Sequence, residues 1–129
     1  MRVACFAFAA LFLLGAVVQW NDPDPALWML AYTVAAALSL AAGSGRVLFV
    51  GHLGAAIVFG VAFASIASTL IGAPAEAFTS FEMQAAAHEA PREAAGLALL
   101  AVWNGVLALR ARRLGDAVDR ESASSRGSY

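Results

Sequence analysis

The chain has 129 residues, 61% of them hydrophobic and 13% charged, with a mean hydropathy of +0.74. Soluble domains average about 45–50% apolar and roughly 25% charged, so this composition belongs to an integral membrane protein, with room for three or four spans and no separate soluble domain. A formal net charge of −1 provides no global field for nucleic acid, and a single cysteine, Cys5, excludes an intrachain disulfide and a CxxC metal site.

Val3 to Trp20 is an almost unbroken apolar run. As a helix, residues 3–20 cover roughly 27 Å, close to the ~30 Å hydrocarbon core. A cleaved signal peptide is the rival reading. The end of the run, Gly15-Ala16-Val17-Val18-Gln19-Trp20, lacks a small-x-small cleavage site, and Trp20 suits an interfacial belt. The run therefore reads as a retained span, with Cys5 a small apolar residue near its start.

The turn Gln19-Trp20-Asn21-Asp22-Pro23-Asp24-Pro25 follows. Pro23 and Pro25 have no amide hydrogen and disfavour α geometry at Asp22 and Asp24, so the first helix stops near Asn21. Asp24 is then placed as an N-cap with Pro25 at the first helical position, its charge complementing the helix dipole. The second span covers residues 26–42. Trp28 and Tyr32 lie four apart on one face, within reach of the interface where amphipathic rings settle. Gly43-Ser44-Gly45-Arg46 is a tight break before a third span over 47–71, long enough to tilt.

On that third span Ala56, Gly60, Ala64 and Ser68 recur every four residues, a stripe that permits close approach of another helix, including one from a second copy or a membrane partner. His52 reads as a buried, hydrogen-bonded histidine, with a ligand or proton carrier as the sharper alternative. Gly72 to Ala90 is less apolar; Thr79-Ser80-Phe81-Glu82 matches a capping box and predicts a short interfacial helix with Phe78, Phe81 and Met83 toward lipid. Pro91 marks or kinks the start of a fourth span over 92–109, and Asn104 inside it is expected to bond across to a neighbouring helix. Residues 111–129 read as a disordered cytoplasmic tail, since Gly115 to Tyr129 is polar and Ser-rich.

Arg2, Arg46, Arg110, Arg112 and Arg113 fall at one set of helix ends and only Arg92 at the other. The positive-inside rule then puts both termini in the cytoplasm and the 21–25 turn and 72–93 segment outside. The predicted fold is all-α: an integral membrane four-helix bundle, up-down-up-down.

The pattern Gln19-x-Asn21-Asp22-Pro23-Asp24-Pro25-x-x-Trp28-x-x-x-Tyr32, followed by Glu89-x-x-Arg92-Glu93-x-x-Gly96-Leu97, resembles the transmembrane protein 220 family. The likeness covers roughly residues 3–109. It implies a helical membrane domain that retains its first helix and pairs the two motifs. It carries over no substrate and no catalytic residue.

Gln19, Asn21, Asp22, Asp24, Trp28, Tyr32, His88, Glu89, Arg92 and Glu93 form the candidate polar cluster of the outer face. Charged groups at a membrane need partners, and the Arg92 guanidinium suits a clasp on Asp22 or Asp24 together with Glu89, tying the first turn to the head of the fourth helix. A divalent-metal site is the second reading. Glu89 and Glu93 stand one turn apart, and His88, Asp22 and Asp24 complete a mixed shell suited to zinc, manganese or iron, or with carboxylates alone to calcium or magnesium. No HExxH-like spacing is present, and Arg92 opposes a cation. A membrane hydrolase is the third reading, and no nucleophile supports it: Cys5 is at the far end, and Ser80 and Thr79 have no evident base. The expected role is a small structural or accessory membrane protein, with metal binding or metal-dependent catalysis as the alternative.

Overall fold

The computed structural model describes residues 1–21, 24–46, 48–79 and 88–126, and every element among these residues is a helix. Helix α1 is Arg2–Val18, continued by a 3-10 turn over Gln19–Asn21. Helix α2 is Pro25–Gly43, and α3 is Phe49–Ile66 with a 3-10 continuation over Ala67–Leu70. A four-residue helix, α4, covers Glu76–Thr79, and α5 runs Glu89–Arg126. Three stretches among the described residues, Pro25–Gly43, Phe49–Leu70 and Glu89–Ser125, are long and apolar enough to cross a membrane. Helix α1 is apolar but shorter. With its 3-10 turn it reaches about 31 Å, enough for a hydrocarbon core.

Local chemistry sets the boundaries. Asp24 is the N-cap of α2 with Pro25 at the first position; its carbonyl accepts the Trp28 amide at 3.5 Å, while its carboxylate makes no cap bond. At the far end, Gly45 takes φ +90°, and the amides of Arg46 and Gly45 return to the carbonyls of Ala41 and Ala42 at 3.0 and 3.2 Å. This is a Schellman closure, which needs the left-handed residue that glycine supplies most cheaply. Pro91 lies inside the first turn of α5, so the helix begins earlier than the predicted span. First-turn amides have no intrahelical acceptor, and a proline there forfeits nothing.

Helices α1 and α2 pack antiparallel: the Arg2 guanidinium donates from Nε to the Gly43 carbonyl at 3.1 Å, while Gly15 near the other end of α1 lies against the Tyr32 ring. Helix α3 packs along α5. Helix α5 joins the two pairs. It runs parallel to α2, since Trp28 meets Glu93 and Ser39 meets Trp103, and the Trp103 indole stacks on Phe8 of α1 at 3.8 Å with a 10° tilt. Cys5, Phe12, Ala35, Leu100 and Leu107 are fully enclosed between them. The outward faces are apolar: Val3 is 82% exposed, Val50 79% and Val61 66%. That distribution suits lipid as solvent, where packing and polar links, not apolar burial, hold helices together.

Two expectations change, and the small-residue stripe stays open to a helix from outside the chain. Trp28 is buried and Tyr32 half-buried, so both rings turn into the protein instead of sitting in an interfacial belt. Helix α3 packs through His52, Ala55, Phe59, Ala62 and Phe63; the small-residue stripe is half-buried at Ala56 and Gly60 and exposed at Ala64 and Ser68, and a Cβ at Gly60 would meet nothing within 4 Å. Within the chain α3 therefore packs chiefly through a neighbouring face, and the Ala64–Ser68 end of the stripe stays exposed. Finally, α5 continues through Arg126 where the composition predicts a disordered tail. No proline interrupts residues 111–126, and Arg112–Asp116 and Asp116–Arg120 are opposite charges at the i,i+4 spacing that supports an exposed helix. Residues 127–129 lie outside the described residues.

Candidate functional site

The two sequence motifs meet at one end of the molecule. The Trp28 indole Nε1 donates to Glu93 Oε1 at 3.0 Å, linking the second turn of the N-terminal motif to the head of α5. One turn further on, Tyr32 crosses between α1 and α5. A Cβ on Gly15 would stand 3.0 Å from Tyr32 Cδ1, and a Cβ on Gly96 would stand 2.5 Å from its hydroxyl oxygen. Glycine at both positions therefore opens the slot that holds the ring. Trp28 and Tyr32 share a face of α2, as Glu93 and Gly96 share a face of α5, because each pair is separated by about one turn.

The rest of the predicted cluster is spread around this contact. Gln19 is half-buried in the 3-10 turn, and Asp24 is exposed. His88, Glu89 and Arg92 are half-buried at the start of α5. The Asn21 side chain and Asp22 lie outside the described residues, as do Phe81, Glu82 and Met83 of the predicted interfacial helix. Thr79 is the last described residue of α4, its hydroxyl donating back to the Ala75 carbonyl at 3.3 Å, and the helix predicted to follow it lies outside the described residues. No hydrogen bond or ion pair joins Arg92 to Asp24 or Glu89 among the described residues. The Asp22 alternative of the clasp lies outside the described residues. No group of three His, Cys, Asp or Glu side chains able to hold a metal forms among the described residues.

A second polar system lies deeper, and only part of it was anticipated. His52 and Asn104, expected as a buried histidine and a cross-helix amide, bond to each other: Nδ1 to Oδ1 at 3.4 Å, between α3 and α5. Asn104 Nδ2 donates to the Leu100 carbonyl at 2.9 Å, so Oδ1 is the acceptor and His52 Nδ1 the donor. Trp103 Nε1 donates to Ser39 Oγ at 2.9 Å, and that hydroxyl donates to the Ala35 carbonyl at 2.8 Å. Ser39 and Trp103 were not singled out from sequence. A lone hydroxyl and a lone indole, each inside an apolar run, were the signal available.

A family model described as "Transmembrane family 220, helix" matches residues 11–109, a range that contains both motifs and ends where the polar extension of α5 begins. No solved structure matches the chain.

Proposed function

Because the chain belongs to the transmembrane protein 220 family, we propose that it is a small four-span membrane protein with a structural or accessory role, in which the motif contact locks the outer rim. In this reading α1, α2, α3 and α5 form an up-down-up-down bundle with the arginine-rich ends and both termini in the cytoplasm, and residues 72–93 outside. Support comes from the antiparallel α1–α2 pair, the parallel α2–α5 pair and the charge asymmetry of the helix ends. The exposed stripe of Ala64 and Ser68 beside Ala56 and Gly60 is the face open to a second copy or another membrane helix.

The observation that carries the reading is the Trp28–Glu93 hydrogen bond, since it joins the two segments that define the family resemblance. Hydrogen bonds to charged groups contribute about 1.5–3 kcal/mol. Trp28→Phe and Glu93→Gln are each expected to lower thermal stability in detergent, and the double variant to be little worse than the poorer single one. Strictly additive losses would remove the link. Purified protein carrying stoichiometric divalent metal, lost in a Glu89→Gln, Glu93→Gln variant, would move the assignment to metal binding.

A further inference from the structure

The opposite rim carries a built cationic crevice. Gly45, Arg46, His52 and Arg110 line it over an apolar floor that includes Ala42 and Leu107, and among the described residues no carboxylate is in its walls. We propose that this crevice binds a phosphate-type oxyanion, either a lipid headgroup or free phosphate. The inference concerns the end of the molecule away from the Trp28–Glu93 contact and does not rest on the outer-rim role proposed above.

Three observations converge. The first is unbalanced charge. Arg110 is half-buried, and the partner its guanidinium finds among the described residues is the Cys5 sulfur at 3.8 Å, a weak acceptor. A partly desolvated cation without a counter-ion is costly, and a phosphate offers paired oxygens that match the guanidinium fork. Arg46 lines the same space, and Arg2 bonds to the Gly43 carbonyl, two residues before Gly45 of the crevice wall. The second is a directed polar atom. His52 is 1% exposed, and its Nδ1 is committed to Asn104. His52 lines the crevice, and with Nδ1 committed to Asn104 its Nε2 is the ring nitrogen left to meet a ligand. In the neutral ring Nε2 accepts, which suits a P–OH or a bridging water. The third is size. The crevice encloses about 30 Å³, room for about two water-sized groups and hence for two oxygens of a phosphoryl head, but not for a sugar or an acyl chain. Helix α3 starts beside it with no side-chain cap at Leu48, which adds the positive end of a helix dipole.

The test uses the full chain in detergent mixed with phosphatidylcholine and phosphatidylglycerol at 4:1, read by native mass spectrometry for retained lipid. A parallel arm titrates inorganic phosphate and reads thermal protection. Retention of one phosphatidylglycerol per chain assigns the lipid source, and protection by millimolar phosphate assigns the free one; either supports the site. An Arg46→Gln, Arg110→Gln variant should weaken the bound species at least tenfold, while Arg112→Gln, Arg113→Gln should leave it within twofold. Arg46→Gln alone touches an exposed side chain and is expected to fold normally while weakening binding several-fold. The proposal is overturned if neither probe binds, if Arg46→Gln leaves affinity unchanged, or if the Arg112, Arg113 variant loses as much as the Arg46, Arg110 variant.

Discussion

Two glycines make room for one tyrosine between three helices. The Tyr32 ring rests on Gly15 on one side, and its hydroxyl lies where a Gly96 Cβ would be. Because the ring is backed by α1, it cannot retreat from an added methyl without disturbing the α1–α2 contact. Overpacking of this kind costs about 1–3 kcal/mol. Gly96→Ala should therefore lower the melting temperature in detergent, and Tyr32→Phe, which removes the atom in the way, should restore most of the loss in the double variant. A Gly96→Ala protein as stable as the parent would show that the slot is loose. The His52–Asn104 bond works differently. Interhelical hydrogen bonds in membrane proteins average about 0.6 kcal/mol, so its main effect is to fix the register of α3 on α5, not to supply stability.

Among the elements, α5 does the most. It contacts each of the other long helices, and at 38 residues it extends about 57 Å, close to twice a hydrocarbon core. Its two halves are held by different physics. Up to Ala111 the helix is packed against neighbours, with Ala94, Leu100 and Leu107 enclosed. Beyond that point its residues are mostly exposed, and helix propensity with i,i+4 charge pairs must suffice. Gly115 is the weakest position there, and a Cβ on it would meet nothing within 4 Å. Glycine is about 0.8–1.0 kcal/mol less favourable than alanine inside a helix. Gly115→Ala should raise amide protection across residues 111–126 by hydrogen exchange and leave protection of the packed half unchanged. Equal, near-zero protection in both proteins would return this segment to the disordered tail that its composition suggests.

At the scale of the molecule, charged side chains gather at two ends, and the body between them holds the neutral pairs His52–Asn104 and Ser39–Trp103. One end holds the Trp28–Glu93 link, and the other gathers Arg2, Arg46 and Arg110 around Cys5 and Gly43. The positive-inside rule turns that asymmetry into an orientation. It is checked with cysteines at two exposed sites, Ser44→Cys and Ala75→Cys, in a Cys5→Ala background. Ala75→Cys should react with an impermeant maleimide on intact cells, and Ser44→Cys only after permeabilisation. The reverse pattern would invert the topology, and labelling of both on intact cells would break the span count.

Much of this was legible in the residues themselves. Apolar runs, prolines at 23 and 25, and Gly45 dictate where helices start and stop, because backbone hydrogen bonding inside lipid leaves few alternatives. The membrane class, the helical elements and the meeting of the two motifs follow from that local physics. What depended on the tertiary structure was which partner each inward group takes. Trp28 chose Glu93, His52 chose Asn104 and Ser39 chose Trp103. Helix rotation decides those pairings, and rotation is set by the sum of side-chain packing over several helices at once, a quantity that no single stretch of sequence contains.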